Sequence, residues 1–228
     1  MIKNLIQSNP LIRDSEKCAF EISAKKLIIF DWDGTLVDSK QQCYEACKVV
    51  FDECRIPLDE ETFLEFDSNP NKNILKDYGL DKYRSFYNQL FFGICKKTRI
   101  PLKPQVEEII LKLKEENKQI AVATNGPIDY VKDLLDYLNY SPLFDFIAGI
   151  DKDIRLKPEP DMLYCVLNNL KRDKEDSVFI GDAPRDIECA KKAEIKSVAL
   201  TSGSFGKEVL IEAKPDYMID DIKELILW

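Results

Sequence analysis

The chain has 228 residues, 45% of them apolar, with a formal net charge of −8, seven cysteines and no histidine. Without histidine there is no Ser-His-Asp or Cys-His nucleophile system, no His-ligated zinc and no imidazole proton shuttle, so proton transfer falls to carboxylates, Lys, Tyr or Cys. The acidic balance speaks against nucleic acid and anionic membranes as partners, and an odd, unpatterned set of cysteines reads as reduced thiols.

Residues 1–26 are mixed, weakly periodic and charged throughout, which reads as an N-terminal extension and not as a signal peptide. No apolar run approaches the roughly 18 residues of a membrane span, so the expected compartment is the cytosol. Residues 27–30 form a short continuous apolar run of the kind a strand buried on both faces requires. Then come only helical patterns, over 43–54, 60–66, 73–78 and 83–97, punctuated by Pro57, Pro70, Gly79 and Pro101. A block of roughly 60 residues is a small helical insertion, and its natural place is a lid above the carboxyl ends of the strands.

Beyond it, apolar runs at 120–123, 146–150, 178–180 and 197–200, with a weaker one at 217–219, alternate with helical spacings at 106–116, 131–138, 162–170 and 187–193. This alternation predicts an α/β fold, a Rossmann-like parallel sheet with helices on both faces plus an inserted all-helical cap. The expected division is an extension over 1–26, a core over 27–39 and 102–228, and a cap over 40–101.

Three of the apolar runs end in an oxygen-bearing side chain: Asp31, Thr124 and Asp182. Neighbouring strands would bring them to one rim, although each alone could equally cap the next helix. Asp31-Trp32-Asp33-Gly34-Thr35 is richer than a cap. Two carboxylates two residues apart repel, and keeping both ionised calls for a cation or for one raised pKa, while Gly34 permits a tight backbone reversal. A calcium loop is excluded by Leu36 and Gln42 at its sixth and twelfth positions. Asp182 and Asp186, four apart across a turn into a helix, could face the same point as Asp31. Carboxylate oxygens with no His or Cys favour a hard divalent ion, Mg2+ above all. Thr124-Asn125-Gly126, between a strand and a helix, could hold an oxyanion at a positive helix end. Lys157 in Leu156-Lys157-Pro158-Glu159-Pro160 would be a cation fixed by neighbouring prolines, where an isolated loop lysine is ordinarily solvated decoration.

In this order and spacing the residues resemble the haloacid dehalogenase-like hydrolase superfamily, over about 26–228, and the insertion resembles its C1-type cap in the phosphoglycolate phosphatase-like branch. The resemblance implies that Asp31 attacks phosphorus to form an aspartyl-phosphate and that Asp33 protonates the leaving oxygen and then activates water. It also implies Mg2+ held by Asp31, the Asp33 carbonyl, Asp182 and Asp186, and phosphoryl oxygens bound by Thr124, Asn125 and Lys157. Asp33 disfavours the phosphonate-cleaving and metal-free dehalogenating relatives. Ala193-Glu194, where many relatives have Ala-Gly, departs from the pattern.

The expected function is therefore a Mg2+-dependent phosphatase acting on a small phosphorylated metabolite. The alternatives are a phosphosugar mutase, against which the missing histidine counts, and a non-catalytic binding protein of the same fold. Substrate and oligomeric state stay open. Cys43, Cys47 and Cys54 read as apolar packing, residues 203–207 as a turn before the last helix, and Tyr83, Phe86, Tyr87, Leu90 and Phe91 as cap core or cavity lining. Lys72 and Arg84 are candidate cap cations for an acidic substrate, although solvated surface is the better reading of each.

Overall fold

Strands β1 (Leu27–Phe30), β2 (Gln119–Pro127), β3 (Phe146–Ile150), β4 (Ser177–Gly181), β5 (Lys196–Leu200) and β6 (Tyr217–Ile219) form one sheet in the order β3-β2-β1-β4-β5-β6. Every pairing is parallel. These relationships come from a computed structural model, which describes residues 22–69 and 72–226. Both faces of the sheet are covered, and strand parity shows how. Ile28, Phe30, Ile120, Val122, Val178 and Ile180 pack with helices α5 (Val106–Glu115) and α6 (Ile128–Leu138). Leu27, Ile29, Ala121, Ala123 and Phe179 face the other way, onto α7 (Asp161–Leu170) and α8 (Pro184–Ala193). Burial on both faces is why these strands read as unbroken apolar runs.

Between β1 and β2 stand the helices α1 (Lys40–Glu53), α2 (Glu60–Asp67), α3 (Ile74–Asp77) and α4 (Arg84–Thr98). Their own small core is Cys47, Val50, Phe51, Leu58, Phe63, Leu75 and Leu80. Phe91 and Cys95 of α4 belong instead to the sheet's core, so α4 anchors the insertion to the domain beneath it. The aromatic row divides accordingly: Phe91 is buried, Tyr87 packs at the junction and Phe86 is exposed. A last helix, α9 (Lys207–Glu212), follows β5.

Two expectations change. Of the proposed N-terminal extension, residues 1–21 lie outside the described residues, but Ile22 is buried in the main core and Lys118 Nζ donates to the carbonyls of Ser23 and Lys25 at 2.5 and 2.8 Å. The end of that segment is part of the domain. The second strand does not stop at Ala123. It continues to Pro127 through a register shift, because Pro127 regains pairing with Ile150 of β3. Thr124, Asn125 and Gly126 therefore lie on an irregular strand end, not at a helix N-terminus. Among the described residues, no helix is long and apolar enough to cross a membrane.

Candidate functional site

The sheet order reverses direction at β1: the chain moves outward through β2 and β3, then returns to β4 on the other side of β1. In open parallel sheets the crevice beyond the carboxyl ends at such a point is where ligands bind. Phe30 is registered with Ile180, and the Asp31 N–H donates to the Ile180 carbonyl at 2.8 Å, so Asp31 and Asp182 leave adjacent strand ends into that crevice.

After Asp31 the backbone turns sharply. The Gly34 N–H donates to the Val37 carbonyl at 2.9 Å, and Gly34 has φ +83°, a conformation that costs glycine little. Space demands glycine too, since a side chain there would collide with the Asp182 carboxylate. The turn directs Thr35 Oγ1 to donate to Asp182 Oδ1 at 3.2 Å and brings Asp33 Oδ1 under the Tyr130 hydroxyl, which donates at 3.1 Å. On the far side, Ser204 N–H donates to Asp182 Oδ2 at 2.6 Å, and Gly203 abuts the same carboxylate. The segment 203–207 is thus a wall of the site as well as a turn. Gly181 has the same relation to Asp186, whose Oδ2 accepts from the Ala183 N–H at 3.0 Å in the first turn of α8.

Asp31, Asp182 and Asp186 are all buried, and one carboxylate oxygen from each lies within 4.8 Å of the others. Facing them is Lys157, equally buried, with Nζ 2.6 Å from Asp31 Oδ1 and 2.7 Å from Asp186 Oδ1. Neither Lys157 Nζ nor Asp186 Oδ1 has a well-directed hydrogen bond. Burial, then repulsion by Asp186, pushes the Asp31 carboxyl up to about 7, against the opposing pull of Lys157. Burial works against the Lys157 charge, but Asp186 and Asp31 outweigh it and hold its pKa above the ordinary value. Burial likewise raises Asp33, while hydrogen bonds from Ser39 and Tyr130 oppose the rise.

The carboxylates of Asp31, Asp33, Asp182 and Asp186 outnumber the two cations that act on them, Lys157 and Arg185, and the donors are all hard oxygens. With Asp186 Oδ1 lacking a hydrogen bond, the site fits a divalent cation such as Mg2+.

The structure brings together Asp31, Asp182, Asp186 and Lys157, and ties Asn125 to them. The Lys157 N–H donates to Asn125 Oδ1 at 2.8 Å, and Asn125 Nδ2 donates to the Lys157 carbonyl at 3.1 Å. Thr124 is buried at the same rim, and its hydroxyl accepts from the Gly126 N–H at 3.0 Å. Three contributors escaped the sequence reading. Tyr130 sits on α6; Lys103 donates from Nζ to the carbonyls of Gly34 and Ser202, stitching both site loops; Arg185 stands beside Asp186 at the cavity wall. Only Arg185 had a local signal, its place within Gly181–Asp186. Lys72 and Arg84 are occupied elsewhere, with Glu65 and with Asn73 and Asp81.

A family model described as haloacid dehalogenase-like hydrolase matches residues 28–200. A phosphoglycolate phosphatase of Colwellia psychrerythraea is 28% identical over 226 residues, covering 91% of this chain and 98% of its own. The pyrophosphatase PpaX of Listeria monocytogenes is 24% identical over 208 residues, covering 87% and 94%. Among solved structures, a haloacid dehalogenase-like family hydrolase from Streptococcus pneumoniae superposes with a TM-score of 0.70 at 24% identity, covering 87% of this chain and 95% of that one.

Proposed function

The chain belongs to the haloacid dehalogenase-like hydrolase family, and from that premise we propose that it is a Mg2+-dependent phosphatase of small phosphomonoesters with Asp31 as nucleophile. The observation that carries the reading is the meeting of Asp31, Asp182 and Asp186 oxygens opposite the Lys157 ammonium, 2.6 Å from the Asp31 carboxylate.

Asp31, Asp182, Asp186 and the Asp33 carbonyl would hold the cation, which when bound supplies positive charge against the substrate's phosphoryl oxygens. Lys157 neutralises the Asp31 carboxylate and reaches the same phosphoryl group, where charge accumulates during in-line displacement. Thr124 and Asn125 complete that cradle, Thr124 through its hydroxyl and Asn125 by its backbone and by fixing Lys157. The Asp31 carboxylate attacks phosphorus, the P–O bond to the leaving group breaks, and an aspartyl-phosphate forms. Asp33, its pKa raised by burial, gives its proton to the departing oxygen; the resulting carboxylate then takes a proton from the water that cleaves the intermediate. Residues 40–101 act as the cap over this chemistry, and the phosphatase names of the relatives agree with the reading.

Phosphate release from a panel of phosphomonoesters should require Mg2+, stop on chelation and be lost in Asp31→Asn. A rapid acid quench should capture a phosphorylated peptide containing Asp31. Turnover surviving in Asp31→Asn would remove the assigned nucleophile.

A further inference from the structure

Between the helical insertion and the sheet lies a cavity of about 510 Å³. Asp33, the proposed acid, lines it together with Ala183 and Ser204, so the cavity adjoins the reacting centre and its remaining side chains must meet the rest of the substrate. Two cap cations there are already spent: Lys72 Nζ lies 2.5 Å from Glu65 and over the Phe66 ring, and Arg84 donates to Asn73 Oδ1 at 2.5 Å. Three charged lining groups are not. Asp67 at the end of α2, Lys40 at the start of α1 and Arg185 in the first turn of α8 line the cavity; among the described residues their side chains make no direct hydrogen bond or ion pair, and Arg185 acts at longer range on Asp186, Asp31, Asp182 and Asp33. Burial raises the Asp67 carboxyl above its ordinary range, with Lys40 and Arg185 pulling the other way.

An acceptor without a direct partner, in the same cavity as two cations without one, is a demand on the ligand. A carboxylate or a second phosphate is acceptor-only; it would serve Lys40 and Arg185 but press an anion against Asp67. A hydroxyl group meets both, donating to Asp67 and accepting from a cation. Volume points the same way, since about 510 Å³ falls in the range that encloses a substantial organic body, far more than a two-carbon acid needs. Phe63, Phe66 and Tyr87 add apolar faces for C–H groups.

We propose that the cavity takes the phosphate ester of a polyhydroxylated body, a sugar or polyol phosphate, with Asp67 as the specificity-determining acceptor for its hydroxyl groups. This rests on the phosphatase reading above.

The test compares kcat/KM for sugar and polyol phosphates, their deoxy analogues, phosphoglycolate, pyrophosphate and p-nitrophenyl phosphate, in the wild type and in Asp67→Asn and Asp67→Ala. At least one polyol phosphate should exceed phosphoglycolate and pyrophosphate. Its kcat/KM relative to p-nitrophenyl phosphate should fall about 10- to 100-fold in Asp67→Ala, mainly through KM and less in Asp67→Asn, because a hydrogen bond to a charged group is lost. Deoxy analogues should lose activity in the wild type and be insensitive to the substitution. Hydrolysis of p-nitrophenyl phosphate with phosphoglycolate or pyrophosphate as the better natural ester would overturn the inference alone. No phosphate from any ester would overturn it together with the phosphatase reading.

Discussion

Asn125 grips the backbone of Lys157 on both sides of its Cα, accepting its N–H at 2.8 Å and donating to its carbonyl at 3.1 Å. Asn125 lies on β2 and Lys157 on the loop before α7, so this side chain sets where the buried ammonium stands relative to Asp31. Asn125→Ala should lower stability by about 1–2 kcal/mol from two lost hydrogen bonds. It should lower kcat by roughly tenfold or more, because a small displacement of a charge-stabilising group is costly. Asn125→Asp keeps the acceptor and loses the donor, and should fall between. Urea unfolding and steady-state phosphate release on the same preparations check both effects.

Asp31 couples stability to pH. Its folded pKa of about 7 stands above the unfolded value of 3.8, so the unfolded chain releases this proton first and the fold loses stability as pH rises between those values. In chelator, Asp31→Asn should gain on the wild type in unfolding midpoint as pH rises from 4 to 8, and Mg2+ should shrink that advantage by stabilising the wild type. A mutant-minus-wild-type difference flat across this range would contradict the assigned strain.

Asp33 and Tyr130 predict a dependence on the leaving group. Asp33→Asn should reduce turnover of alkyl phosphates by about 100- to 10,000-fold, the usual worth of general acid–base catalysis. The loss should be smaller for p-nitrophenyl phosphate, whose leaving oxygen departs without a proton. Tyr130→Phe removes the hydroxyl that donates to Asp33 Oδ1 and also meets Cys95 and Trp32, and leaves the ring among Trp32, Phe91 and Phe92, so it should show the same substrate ranking at a fraction of the size, about three- to tenfold. Pre-steady-state measurement of leaving-group release separates this step from dephosphorylation.

The parts of this site that could be read from sequence are those carried by local pattern. Asp31 and Asp182 end apolar runs, and strand periodicity makes such ends converge once the sheet order is 2-1-4. Gly34 announces its turn by type. What escaped was long-range: Tyr130 reaches Asp33 from 97 residues away, and Lys103 bonds Ser202 across 99. Such side chains sit in ordinary helical or loop patterns, and only tertiary packing selects them. Asn125 was noticed for its backbone, whereas its amide does the visible holding. The strand end at Pro127 escaped for a related reason, since its pairing with Ile150 is fixed by a neighbouring strand and not by its own residues. Glu194 shows local departure absorbed at small cost: it adopts φ +58° at the end of α8, where glycine would be unstrained.

Gly203 offers a test of the metal site that leaves every proposed ligand in place. A methyl group there would overlap the Asp182 side chain, which Ser204 N–H and Thr35 Oγ1 hold from either side. Asp182 must then shift, and one or both of those bonds weaken. Gly203→Ala should cost about 1–3 kcal/mol through overpacking. The Mg2+ concentration for half-maximal activity should rise roughly 10- to 100-fold, as when the support of a ligating carboxylate is disturbed. Gly93→Ala is the matched control: it lies mid-helix in α4 with open space around its Cβ position, so it should leave Mg2+ activation alone and stabilise by up to about 1 kcal/mol. Mg2+ titrations of phosphate release, with thermal unfolding in parallel, decide the matter. An unchanged activation constant in Gly203→Ala, at reduced stability, would mean that the cation does not depend on Asp182.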